Sequence, residues 1–291
     1  MHNNMIPAIL VSDLHGDYTR YKKLVDYIIS NKPGLVFIAG DVLPAGIAKF
    51  TSLDLKHKDF INGYLLPLFR QIKEKLDSQS PNIYMILGND DAKVEEAAII
   101  DASTTGVWEY ANMHRRIFKQ YKIFGYSYVP PTPFQLKDWE KYDVSRYVDP
   151  GCVSPEDGLR TMPVRQLAVR HETILHDLED LSKNEELENS IWLFHSPPYK
   201  TNLDRGDLDN RMIDHVPLDV HLGSIAIKRF IEDKQPYITM HGHIHESTRL
   251  TGRWYERIGR THSFNGAHDG NELCIVLFDL DNPADNERIL I

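Results

Sequence analysis

Asp13 and His15 stand one residue apart in Asp13-Leu14-His15-Gly16. Gly40-Asp41, Gly88-Asn89-Asp90-Asp91, His195 and Gly242-His243-Ile244-His245 follow at wide intervals. Carboxylate, imidazole and amide oxygen are ligands for borderline or hard divalent cations such as Mn, Fe, Zn or Co. No thiolate belongs to the set, which argues against a structural zinc knot. Two such ions roughly 3.5–4 Å apart bind a phosphoryl oxygen, generate hydroxide and stabilise an in-line displacement. A bridging carboxylate is the natural way to hold two ions that close. Two ligand carboxylates, two divalent ions and a bridging hydroxide leave a charge of about +1, attractive to a phosphate ester. Taken singly, Asp13, Asp41 and Asn89 read as turn formers or helix caps, and His195 as a buried core histidine. The ordered set is what points to metal.

Each group follows a short apolar run. Ile6–Val11 leads into Asp13, Leu35–Ala39 into Asp41, Ile83–Leu87 into Asn89, Ile191–Phe194 into His195, and Tyr237–Met240 into His243 and His245. Short apolar runs closed by polar, glycine-containing turns predict buried strands. Leu24, Val25, Ile28 and Ile29 recur at helical spacing, and Leu53–Leu76 reads as mostly helical. Strands alternating with helices predict a largely parallel sheet with crossover connections. Sites in α/β sheets form at the carboxyl ends of strands, where distant sequence positions meet on a rigid platform.

The middle of the chain is less regular. Arg116–Phe118 and Tyr121–Phe124 predict a hairpin, and Pro130-Pro131-Thr132-Pro133 a loop. Asp138–Pro163 is polar and punctuated by Pro and Gly, which reads as an excursion over the surface. Val164–Leu181 predicts a helix, Ser224–Glu232 another, and Leu273–Leu280 a last strand. One domain over residues 1–291, with a surface insertion around 138–185, is the expected organisation. The loop Tyr199–Asp219 offers Arg205 and Arg211 as rim residues able to contact a substrate phosphate, with Asn89 as a further substrate contact. His241 lies off the ligand positions and reads as a structural or supporting group.

Composition limits the alternatives. The chain has 291 residues, of which 42% are hydrophobic and 26% charged, as in ordinary globular proteins. A net charge of −9 argues against a nucleic-acid groove, which needs a basic excess. Cys152 and Cys274 are far apart and form no CxxC pair, so a reducing compartment is expected. The opening residues lack a basic n-region and no run approaches the length of a membrane span, which together read as a cytoplasmic protein. Oligomeric state leaves no trace in the sequence.

The series from Asp13-Leu14-His15 through Gly40-Asp41, Gly88-Asn89 and His195 to Gly242-His243-Ile244-His245 resembles that of the calcineurin-like metallophosphoesterases. His195-Ser196-Pro197-Pro198 and Gly223-Ser224 are similar to the bacterial and archaeal Icc-related group of predicted phosphoesterases. The resemblance implies a four-layer α/β fold, two mixed sheets packed as a sandwich and flanked by helices. It implies one metal held by Asp13, His15 and His245, a second held by Asn89, His195 and His243, and Asp41 bridging them. Two departures stand out. Where the family usually has Gly-Asn-His, with a histidine that protonates the leaving group, this chain has Asp90. Where protein phosphatases carry GDxxDRG, the second Asp is replaced by Pro44. Both members of that acid pair are missing, which argues against a protein Ser/Thr phosphatase. The resemblance therefore implies a small-molecule phosphodiesterase using metal-bound hydroxide, on a nucleotide-like or other small phosphate ester, with Asp90 as a candidate acid or a group touching metal or water. A phosphomonoesterase, or a non-catalytic metal-binding interaction module on the same fold, is the alternative.

Overall fold

A computed structural model of the protein describes residues 6–44 and 59–291. Two six-stranded sheets form its centre. The first runs, edge to edge, Asn282–Leu290, Cys274–Asp279, Pro7–Val11, Leu35–Ala39, Asn82–Ile86 and Glu109–Tyr110. The second runs Tyr255–Ile258, Thr261–Asn265, Ile238–His241, Ser190–Phe194, Tyr121–Tyr126 and Arg115–Phe118. Both are mixed: in the first, Pro7–Val11 to Glu109–Tyr110 pair in parallel and the other two strands add antiparallel pairs on one side; in the second, the four inner strands pair in parallel and an antiparallel strand closes each edge. The family resemblance implied a sandwich of this kind, and the structure has it, where the strand pattern alone predicted one largely parallel sheet.

Period-two alternation builds the layers. On Leu35–Ala39, Val36 and Ile38 point to one core, while Leu35, Phe37 and Ala39 point to another. The outer core packs the helices Tyr18–Asn31 and Leu66–Leu76 on the first sheet through Leu24, Ile28, Phe69 and Ile72. The inner core, with Phe37, Ile86, Leu193, Met240, Phe264 and Phe278, joins the two sheets. On the far side, Trp192 and Phe194 pack against Phe230 of the helix Ile225–Lys234 and Leu178 of Ile174–Ser182. Strands buried on both faces have to be apolar throughout, which is why they read as continuous runs. Among the described residues no helix is long and apolar enough to cross a membrane.

Two expectations need correction, and a third is refined. The single helix over Val164–Leu181 is two helices, Gln166–His171 and Ile174–Ser182. Glu172 and Thr173 between them are extended, because Thr173 caps the second helix and accepts from His176 N at 3.2 Å. Within Leu53–Leu76, residues 53–58 lie outside the described residues; the rest is a π-helical turn, Ile61–Leu65, and an α-helix, Leu66–Leu76. Pro67 lies in the first turn of that α-helix and has no N–H to donate to the preceding turn. The segment expected on the surface begins in the interior: Asp138, Trp139 and Glu140 are buried, as is Lys137 just before it.

Lys137 Nζ meets Glu140 Oε2 at 2.5 Å with both side chains fully buried, and Thr132 completes the group through its amide and hydroxyl. Removing one partner of such a pair leaves an uncompensated buried charge. Glu140→Gln is expected to lower stability by about 3–5 kcal/mol in urea unfolding. A loss within experimental error would show that the pair is not formed.

Candidate metal centre

Strands Pro7–Val11, Leu35–Ala39, Asn82–Ile86, Ser190–Phe194 and Ile238–His241 lie parallel within their own sheets, so their carboxyl ends gather the sequence motifs. The chain turns sharply at each exit. Asp13 (φ 55°), His15 (φ 47°), Asp41 (φ 51°) and His243 (φ 71°) all occupy the left-handed region, costly for residues with a side chain. Hydrogen bonds between neighbouring exits hold them there. Asp13 N donates to Gly40 O at 3.0 Å, His15 N to Asp41 O at 2.8 Å, and His243 N to Asp13 Oδ1 at 3.1 Å. Glycines clear the space between ligands. A Cβ on Gly88 would lie 2.6 Å from His195 Nε2 and collide with Asp41 Oδ1, and one on Gly242 would lie 2.6 Å from Asp13 Oδ2.

Among the described residues three clusters of potential ligands result: Asp13 with His15 and His245, Asp13 with Asp41 and His195, and His15 with Asp41 and Asp90. In the first, His15 Nε2 faces His245 Nε2 at 3.3 Å, and His245 Nε2 lies 3.2 Å from Asp13 Oδ1. In the second, His195 Nε2 lies 3.3 Å from Asp41 Oδ2 and 3.0 Å from Asn89 Oδ1. Asp13 and Asp41 are each shared between two clusters. His243 is brought beside this group, its ring centroid 5.1 Å from that of His195, but the three clusters do not include it.

The donor set fits a cation. His195 Nδ1 lies 2.8 Å from the Ala39 carbonyl, so it carries the ring proton. Nε2 therefore presents its lone pair to two oxygen acceptors, Asn89 Oδ1 and the Asp41 carboxylate. A backbone carbonyl that fixes the tautomer of a ligating histidine is the usual supporting arrangement at metal sites. The same carboxylates that would attract a cation also favour a proton on the rings. Burial opposes the charged ring of His195, yet Asp41 pushes it up to about 10; Asp13 likewise pushes His245 up to about 9 against its burial. Burial alone would raise the Asp13 carboxyl, but His245, His195 and His15 hold it well below the usual range. For Asp41 too, burial is overcome by His195 and His15, and its carboxyl is lowered.

Asp90 sits at the edge of the centre. Its Oδ2 lies 3.5 Å from His15 Nδ1 and its amide donates to Asp41 Oδ1 at 2.9 Å. Burial and the Asp41 charge raise its carboxyl. Of the two rim arginines, Arg205 is engaged in a bidentate pair with Asp209 at 2.6 and 2.7 Å, and Arg211 is exposed. The loop is joined to the centre by Asp207 N, which donates to Glu246 Oε1 at 3.1 Å, one residue beyond His245. His241 is buried, with Nδ1 2.9 Å from Ser196 O and Nε2 2.9 Å from Thr239 Oγ1, and burial holds it down at about 3. It supports the exit of its strand and faces no ligand cluster.

Sequence reasoning missed Asp91. Its buried carboxylate accepts from Val42 N at 3.1 Å, Leu43 N at 2.6 Å and Gly88 N at 2.8 Å. It clamps the turn carrying Asp41 to the turn carrying Asn89. The one signal available was a second Asp directly after Asp90. It missed Asp204 too, which lies buried within the loop Tyr199–Asp219 and accepts from Lys200 N, Thr201 N, Gly223 N and His221 Nδ1, closing the loop after His195.

The chain matches the calcineurin-like phosphoesterase family over residues 6–247, and it belongs to that family. Members generally use a dinuclear metal site. An uncharacterized protein of Methanocaldococcus jannaschii is 38% identical over 92 residues, 31% of this chain and 35% of that protein. The match thus spans about a third of that relative's length. In three dimensions the chain is similar to the TT1561 protein of Thermus thermophilus, with TM-score 0.58, 14% identity and 99% of each chain covered. It is similar also to a dimetal phosphatase from Danio rerio, with TM-score 0.50, 9% identity and 98% of each chain covered. At these identities the likeness is one of fold.

Two outcomes are expected. In Asp91→Asn an amide NH2 must face a backbone N–H, so the clamp opens; Mn affinity measured by calorimetry should fall by about 10–100-fold while the far-UV circular dichroism is kept. Metal uptake at neutral pH should release protons from His195 and His245, so apparent affinity should fall as pH is lowered. Calorimetry in buffers of different ionisation enthalpy reads that release, and uptake without protons would contradict the proposed ligands.

Proposed function

We propose that the protein hydrolyses small phosphate esters, with diesters preferred, at a centre of two divalent metal ions. The observation that carries this reading is the convergence of lone pairs: His195 Nε2, with its tautomer fixed by Ala39 O, faces Asn89 and Asp41, and His15 and His245 face each other beside Asp13. In this reading Asp13, His15 and His245 hold one ion, Asn89 and His195 the other, with His243 completing the second set, and Asp41 lies between them. Ions bound there, Mn, Fe or Zn by the chemistry of the donors, would supply Lewis acidity and an activated water.

The chain's own groups do the rest. Gly88 and Gly242 leave the ligand atoms free of steric contact, and Asp91 keeps the turns of Asp41 and Asn89 in register. Asp90, partly exposed and with a raised carboxyl, is placed to give a proton to a leaving group. Its position in the third cluster also supports a role beside the metal ligands. Arg205 contributes by fixing the rim through Asp209, which leaves the exposed Arg211 as the cationic group available to substrate.

Hydrolysis of bis-p-nitrophenyl phosphate and p-nitrophenyl phosphate, with Mn and with chelator, tests the reading. The diester should be cleaved faster, only with metal, and activity should be lost in Asp41→Asn. Asp90→Asn should slow esters with poor leaving groups by roughly 10²–10⁴-fold, and p-nitrophenyl esters far less. No cleavage of either ester by metal-loaded protein would overturn the proposal in favour of a binding role. Rates in Asp90→Asn unchanged from wild type on every cleaved ester would remove Asp90 as the acid.

A further inference from the structure

Lys93 follows the Asn89–Asp91 turn and opens onto a separate cavity of about 50 Å³, walled opposite by residues of the 138–172 segment. Lys141, Arg160 and Tyr128 also face it, and Val164 and Val169 give it one apolar side. Its carboxylates are committed elsewhere. Asp138 accepts from Lys93 N and Thr161 N, at 2.8 and 2.9 Å. Glu140 is paired with Lys137, and Glu172 shares Lys141 with Asp177.

Lys93 and Arg160 are left without an ion pair among the described residues. Lys93 Nζ donates to the Tyr128 hydroxyl at 2.6 Å and lies 4.4 Å from the Trp139 ring centroid. Arg160 donates to the carbonyls of Lys137 and Pro155. Burial lowers both cations below their ordinary values, outweighing the pull of Glu96 and Asp138 on Lys93 and of Asp138 and Glu140 on Arg160. The buried Trp139, whose ring Lys93 faces, has no acceptor for its indole N–H among the described residues. Two desolvated cations whose nearest carboxylates stand beyond contact distance are costly, and an anion between them offsets that cost. The cavity has room for roughly three to five waters, or for one tetrahedral oxyanion.

We propose that this cavity is a second ligand site, where Lys93 and Arg160 bind a small oxyanion, of which inorganic phosphate is the simplest, against the Tyr128 hydroxyl. The Tyr128 hydroxyl can donate to such a ligand while accepting from Lys93, and Lys141 is held at the wall by Glu172 and Asp177. The site is distinct from the metal centre and independent of the reaction proposed there.

Calorimetric titration of inorganic phosphate into the metal-loaded protein tests it. Binding at the cavity should persist in Asp41→Asn, where binding at the metal centre is impaired. It should weaken by about tenfold or more in Lys93→Gln combined with Arg160→Gln. Val169→Glu, at a partly exposed position on the cavity wall, brings a carboxylate in without removing either cation. It should abolish the same binding, and it serves as the test if the double variant does not fold. Absence of phosphate binding in Asp41→Asn, or binding unchanged in the cavity variants, would overturn the proposal.

Discussion

His195 commits the proton of Nδ1 to the Ala39 carbonyl, and what remains at Nε2 is a lone pair aimed at two oxygens. Acceptors so arranged repel one another unless a cation, a proton or a metal, lies among them. The same holds for His15 and His245 beside Asp13. Much of the surrounding architecture can be understood as the means of holding these groups together against that repulsion. A single sheet could bring only some of them close. The ligands arrive from strands of both sheets, so the inner core that joins the sheets also fixes the distance from His195 to Asp41.

The repulsion comes with a second cost, in the backbone. Four of the gathered residues have positive φ, and none is glycine. Left-handed turns let a chain leaving a strand present its side chain at once, before a helix carries it away. They persist because each is tied to a neighbouring exit by main-chain hydrogen bonds, and because Asp91 ties two exits by three more. Helix packing on the outside supplies the stiffness. Tyr21, buried in the outer core, reaches Val42 O at 2.7 Å, next to Asp41. Local strain is thus sustained by packing that has no chemical role of its own.

The parts of this arrangement that were legible in the sequence are those governed by local rules. Leu35–Ala39 is apolar on both faces because both faces are covered, and this makes it conspicuous. Asn282–Leu290 is an edge strand carrying Pro283, Asp285 and Asn286, so nothing in its pattern marks it as a strand. The break at Glu172–Thr173 depends on Tyr142, whose carbonyl accepts from Ile174 N across a long sequence separation. Asp13, His15, Asp41 and His245 were legible as a set because strand ends force them together. Asp91 and Asp204 were not, since a buried carboxylate bound to main-chain amides looks like any loop aspartate until the loops are folded. The position of His243, beside His195 but outside the clusters, likewise depends on side-chain direction, which spacing does not encode.

Asp90 brings these threads together. A third carboxylate near Asp41 is electrostatically unfavourable, and Asp41 together with burial raises its pKa. On the proposed reading, two ions and a hydroxide beside two carboxylates carry about +1, and an ionised Asp90 would reduce that to about zero. A neutral centre has little attraction for a doubly charged monoester but pays little to accept a singly charged diester. A protonated Asp90, in contrast, both restores the positive charge and carries the proton that a poor leaving group requires. The same carboxyl therefore couples substrate charge to acid supply. Replacing a histidine, which is cationic when it holds its proton, by an aspartate, which is neutral when it holds one, shifts the centre toward substrates of lower charge. That is the physical argument for diesters over monoesters, and it depends on this one side chain standing 3.5 Å from His15.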